Sequence, residues 1–200
     1  MNGFSISPVC GLVLVSVLQI KNAQEVRPAI LVRLYNLAHV PNFTLSKAED
    51  YATDIFRDSG VDISWHNIGS ATESDSRTTE TVEVMVVIRT HPTRPLMRNA
   101  DAMGSKISDV MADVFYDRVQ SFASTIPLTA SFPPLAEPAA LGHVIAHELG
   151  HLMLLSHSST GIMRARWNPN HIWRPGTVDL FFTEEQSQRL RAELIRRIQK

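Results

Sequence analysis

Leu141–Met163 reads LGHVIAHELGHLMLLSHSSTGIM, and the geometry of this stretch decides how the rest of the chain is arranged. His147 and His151 are four positions apart. On an α-helix that spacing offsets two side chains by about 40° and about 6 Å, so both imidazoles face the same way, one turn apart. Two nitrogens so placed can take two corners of a tetrahedral zinc site. Glu148, one step round the helix, can reach a water held by such a metal, act as general base and pass the proton to the leaving amine. The metal makes the larger contribution: lowering the pKa of water from about 15.7 to about 7 raises the hydroxide fraction at neutral pH by roughly eight to nine powers of ten.

The chain holds eight histidines in 200 residues. At that frequency, and a similar one for glutamate, HExxH arises by chance in roughly one such chain in sixty. Requiring a third histidine ten positions after the first, here His157, lowers this by a further factor of about 0.04.

His147-Glu148-x-x-His151, followed by His157 and by a turn at Gly161-Ile162-Met163, resembles the metzincin clan of zinc endopeptidases. The resemblance implies one zinc ion bound by His147, His151 and His157, with Glu148 as the catalytic base and Met163 as the Met-turn residue beneath the metal. It also implies a peptide or protein substrate, and a specificity pocket shaped by Arg164, Arg166 and Trp167, which otherwise read as a solvated loop. Metzincins usually carry glycine seven positions after the first histidine, and Leu154 stands there. A continuous helix would put His157 about 240° round from His151 and about 9 Å further along, out of reach of the same metal. The helix therefore has to end near Leu154 or Leu155 with a non-glycine residue in a strained conformation, at about 1 to 2 kcal/mol. The link from His157 to Met163 is short, and no tyrosine follows two residues after Met163.

Two other readings stand beside this one. An acidic third ligand such as Asp179, Glu184 or Glu185 would make a gluzincin-like hydrolase, and a closed metal shell would make a non-catalytic, zinc-stabilised binding module. His143 lies one turn before His147, but three turns span about 12 Å, which leaves it a supporting or groove-lining role. His39, His66, His91 and His171 have no partners at metal spacing.

Outward from this centre, the pattern predicts an α/β (α+β) fold. A twisted mixed sheet carries an N-terminal crossover helix, the helix of His147, and a C-terminal helix. Ala29–Leu37 and Val82–Ile88 read as buried strands, and Val61–Ile68 alternates as a half-buried one. Between the first two of these in chain order, Ser46-Lys47-Ala48-Glu49 has the form of a capping box opening an amphipathic helix that stops at Gly60. Strand, helix, strand in that order predicts a parallel crossover. Ala112–Val119 reads as a strand with Val114 and Tyr116 on one face and Phe115 on the other, at the rim of the cleft by the metzincin likeness. His91–Lys106 reads as irregular, and a short helix is expected over Val119–Ser124. Pro138 suits the first turn of the central helix. Thr183-Glu184-Glu185-Gln186 is a second capping box, opening a helix lined by Leu190, Leu194, Ile195 and Ile198.

The formal net charge of −1 argues against a nucleic-acid or anionic-membrane binder. Arg189, Arg191, Arg196, Arg197 and Lys200 alternate with glutamates, as on a solvated helix face. A lone cysteine, Cys10, excludes an internal disulfide framework. It sits in the apolar run Val9–Ile20, too short to span a bilayer and of the length of a signal-peptide core. The expected organisation is a signal peptide over 1–23 and one metalloprotease-like domain over 24–200, secreted and monomeric.

Overall fold

The computed structural model describes residues 27–69, 81–93, 102–126, 135–172 and 180–200. The apolar run Val9–Ile20, the loop 70–80 and Asp179 lie outside these residues. Five strands form one mixed sheet in the order β2-β1-β3-β5-β4: β1 Ala29–Asn36, β2 Asp62–Asn67, β3 Thr81–Arg89, β4 Gly104–Lys106 and β5 Met111–Phe115. The first four in spatial order run parallel, and β4 closes one edge antiparallel to β5. The crossover between β1 and β2 is α1, Asn42–Asp58. Four further helices complete the described residues: α2 Tyr116–Ala123, α3 Ala136–Leu152, the single turn α4 Pro169–Ile172, and α5 Glu184–Ile198.

The α/β class and the mixed sheet agree with the sequence reading. Alternation along the strands sorts their residues. Ile30, Val32, Leu34, Val82, Val84, Val86, Ile88, Ala112 and Val114 are buried in one core with Ala48, Ala52, Ile55 and Phe56 of α1 and Leu141, Val144, Ile145 and Leu149 of α3. The opposite strand positions are more polar, and Arg33 of β1 pairs there with Glu83 of β3. Fifteen of the seventeen residues of α3 are buried. It is a core helix, packed between α1, α2 and the β4–β5 edge.

Several expectations need correction. α1 starts a turn before the Ser46 capping box, at Asn42, and its N-cap is Pro41 at φ −57° with no side-chain cap. Proline pre-sets a helix-compatible φ, so the chain enters the helix before it reaches Ser46. The strand expected over Ala112–Val119 ends at Phe115, and Tyr116 opens α2 three residues before the helix expected there. The Tyr116 hydroxyl donates to Glu137 in the first turn of α3, which draws this residue to the helix side. The segment read as irregular contains β4, whose three residues give a period-two pattern no room to show. In α5, the capping box forms as expected, with Gln186 N–H on the Thr183 side chain and Thr183 N–H on the Gln186 side chain. Ile195, however, is largely exposed, at 46%.

The basic C-terminal face is not wholly solvated either. Arg197 donates to the Leu152 carbonyl at the end of α3 (2.6 Å) and to the Asp109 carbonyl before β5 (3.1 Å). Glu193, buried, orients it through hydrogen bonds of 2.7 and 2.6 Å to Arg196 and 2.7 Å to Arg197, and these partners hold its carboxyl down at about 2. A helix end that needs acceptors satisfied thereby receives an arginine.

Candidate metal centre

His147 and His151 project from the last two turns of α3, where helical spacing aligns them as expected, with ring centroids 4.6 Å apart. Each ring is fixed through Nδ1. His147 donates to the Ile162 carbonyl (2.7 Å) and His151 to the Leu155 carbonyl (2.8 Å). An imidazole that donates from Nδ1 presents the lone pair of Nε2, the tautomer a metal requires. Ile162 also accepts from Trp167 Nε1 (3.2 Å), whose ring stands edge-on to His147 at 5.4 Å.

The helix then stops where His157 needs it to stop. α3 ends at Leu152, Met153 is the C-cap, and Leu154 adopts φ +62°. Leu155 N–H donates to the Gly150 carbonyl and Leu154 N–H to the His151 carbonyl, both at 3.1 Å. These are the two bonds of a Schellman cap, with leucine in the left-handed position that glycine ordinarily fills. The turn brings His157 back, so that His151 Nε2 and His157 Nε2 lie 3.1 Å apart. The loop that follows is closed by Ser158 N–H on the Met163 carbonyl (2.9 Å) and a bridge from Ser158 to Arg164. Gln186 of α5 ties it from outside, donating to Ser158 Oγ at 2.9 Å. Met163 is fully buried against Gly150 of α3, where a Cβ would meet its sulfur at 2.6 Å.

A left-handed leucine costs about 1 to 2 kcal/mol, whereas glycine there forfeits about 0.5 to 1 kcal/mol of chain entropy. The Leu154 side chain is 51% exposed, so little burial is lost on its removal. Leu154→Gly is therefore expected to raise the melting temperature by a few degrees or less. Scanning calorimetry checks this, and a clear fall would show that leucine is not strained there.

Burial sets the protonation of the two histidines on α3. Desolvation lowers the pKa of His147 to about 4 and lowers that of His151, with Lys106 and His157 adding to the latter by charge. The rings are thus neutral at pH 7 and available as ligands. Glu148 is 4% exposed, and desolvation pushes its carboxyl up to about 8. Its Oε2 has no hydrogen-bond partner. Gly104 of β4 makes the space it occupies: a Cβ there would lie 2.5 Å from Oε1. Sequence reading missed Gly104, because a glycine in an apparently irregular segment carries no pattern.

The donor set fits zinc. The ligand atoms of His147, His151 and His157 all lie within 4.8 Å of one another, and they are the one such group among the described residues. Tetrahedral zinc at about 2.0 to 2.1 Å per nitrogen separates its ligands by about 3.3 Å. Glu184 and Glu185 are not part of the group, and Asp179 lies outside the described residues. His143 is buried and donates to the Ala139 carbonyl at 2.7 Å, so it supports α3 and is not among the residues lining the groove.

No protein-family model matches the sequence, and no curated protein matches it. Among solved structures, the chain is similar to a zinc-dependent peptidase from Methanocorpusculum labreanum (strain Z). The two are 14% identical with a TM-score of 0.46, covering 82% of this chain and 99% of that one. At so loose a likeness, the geometry of the cluster is what bears on function.

The cluster opens onto a cleft of about 1000 Å³. One wall is α3 and the His157 loop, another is β4, and the others are α2 and the segment Arg164–Trp167. The rim strand is therefore β4, at the sheet edge, and not the β5 segment with Phe115 and Tyr116. Arg164, Arg166 and Trp167 do line the cleft, as expected if they shape a pocket. Among the described residues no helix is long and apolar enough to cross a membrane.

Proposed function

We propose that the chain is a zinc-dependent metalloendopeptidase of metzincin type, with His147, His151 and His157 as the ligands of one zinc ion. The observation that carries this reading is the convergence of three imidazoles on one point of an open cleft, beside a buried carboxyl with an unpartnered oxygen. Three protein ligands facing an open cleft are the arrangement of catalytic zinc, whereas structural zinc has four. When bound, zinc supplies Lewis acidity, polarising a carbonyl and acidifying water.

The chain's own residues do the rest. Glu148 accepts the proton of the attacking water and delivers it to the leaving nitrogen. Burial brings this carboxyl up to about 8, and a bound dication would draw it back toward ionisation, toward the neutral range where a general base works best. The carbonyls of Ile162 and Leu155 hold two rings in register. Met163 fills the space against Gly150 and gives the last turn of α3 a fixed floor. In this reading residues 24–200 act as one monomeric catalytic domain, exported behind the apolar run Val9–Ile20.

Metal analysis of the purified protein, paired with a peptide-library assay, tests the reading. The expected result is one zinc per chain, and cleavage that is lost with a chelator, restored by zinc and blocked by a hydroxamate. Bound zinc that no hydroxamate can reach would favour the closed, non-catalytic module.

A further inference from the structure

The chain is nearly neutral, at −1, but its cleft is not. Among the described residues, the cleft lining carries the basic side chains Lys106, Arg118, Arg164 and Arg166 and a single carboxyl, Glu148, on its buried floor. The Lys106 ammonium is matched by Asp109 at 2.8 Å, and Arg118 reaches the Ala102 carbonyl and stacks on Phe115. Arg164 and Arg166 are in a different position, since neither forms an ion pair with any described carboxylate. Arg166 is exposed. Arg164 is half-buried, and its backbone is fixed by the bridge to Ser158, the neighbour of His157. Its Nη1 lies 2.9 Å from His171 Nε2, and its Nε–H is buried without an acceptor.

Buried guanidinium donors are rarely left unmet; the Nε–H of Arg164 is itself out of a ligand's reach, so an oxygen entering the cleft would meet the terminal guanidinium donors of Arg164 and those of exposed Arg166. Guanidinium presents its donors as a planar fork that matches a carboxylate two bonds at a time. Paired bridging chains lie about 4.8 Å apart, so an arginine rooted opposite Ser158 is within one side-chain length of the His157 loop. We propose that Arg164 and Arg166 bind a carboxylate of the substrate beside the scissile bond, making the cleft selective for acidic peptides. This rests on the peptidase reading and adds a substrate class to it. The carboxylate has two possible sources, an internal Asp or Glu side chain or the end of the peptide chain.

The test uses the zinc-loaded protein. Peptide pairs that differ only in Glu against Gln at each position flanking the cleaved bond, each with a free or an amidated C-terminus, are compared by kcat/KM. A pair of short peptide hydroxamates differing in the same way is compared by calorimetric binding. The carboxylate member is expected to be favoured roughly tenfold or more in both assays, as a charge-assisted hydrogen bond implies, with the ratio shrinking as salt is raised. In Arg166→Gln and Arg164→Gln the ratio is expected to approach one, while Arg164→Lys, which keeps charge and loses the fork, retains part of it. A ratio that follows Glu against Gln at one position regardless of amidation assigns the side chain. One that follows amidation alone assigns the chain end. Equal binding and turnover across the pairs, or a preference that survives both glutamine substitutions, overturns the proposal. Arginine-dependent preference in binding without cleavage of any peptide would overturn the peptidase reading and leave the carboxylate site standing. Failure of both hydroxamates to bind would overturn both.

Discussion

Glu148→Gln is expected to keep one zinc per chain and to lose peptide cleavage by about two to four powers of ten, the share that positioned acid–base catalysis contributes. The substitution isolates the proton-carrying role, because glutamine has nearly the volume of glutamate and fits the same space against Gly104. It leaves the three imidazoles, and the two carbonyls that orient His147 and His151, untouched. Stability is expected to hold or rise slightly, since a buried ionisable group whose Oε2 has no partner is replaced by a neutral one. Metal content and kcat/KM measured on the same preparation check this. Retained turnover with zinc bound would sink the assignment of Glu148 as base, and loss of zinc would mean that the carboxyl supports the metal site directly.

How much of this was open to reading in the sequence depends on the range of the forces involved. The pairing of His147 with His151 follows from helix periodicity, a local property, and it appears in the structure as expected. Leu154 was legible in a subtler way. The need for His157 to turn back implied a strained, non-glycine residue at the helix end, and Leu154 at φ +62° supplies it. What local pattern could not carry is the far side of the cleft. β4 is three residues long and exists through its ladder with β5; Gly104 matters only because Glu148 arrives beside it from α3. Tyr116 favours a strand by intrinsic preference, and a tertiary hydrogen bond to Glu137 accompanies its place in a helix. The capping box at Ser46 is a true pattern in the wrong place, since Pro41 had already opened the helix. The Glu193–Arg197 pair looked like a solvated charge run because nothing in the spacing of α5 tells that the end of α3 lies against it.

A second large effect is expected of His157→Ala. A zinc site worth about 10 to 16 kcal/mol over four ligands assigns about 3 kcal/mol to each, so removing one is expected to weaken zinc binding by two powers of ten or more. The metal-free protein should barely notice. His157 is exposed, and exposed substitutions usually stay within about 0.5 kcal/mol. Its loop is held without it, by Ser158 on the Met163 carbonyl and by Gln186 on Ser158. The two states therefore separate cleanly. Melting temperatures without metal should coincide for the two proteins, and the rise on adding zinc should be smaller in the variant, because a ligand stabilises only in proportion to its affinity for the folded chain. Competition titration against a chelator of known affinity gives the change directly. An unchanged stoichiometry and affinity would mean that the third ligand lies elsewhere. Asp179, Glu184 and Glu185 would then be next to substitute, and the 3.1 Å approach of His157 to His151 would be a hydrogen bond between two rings, not half of a metal site.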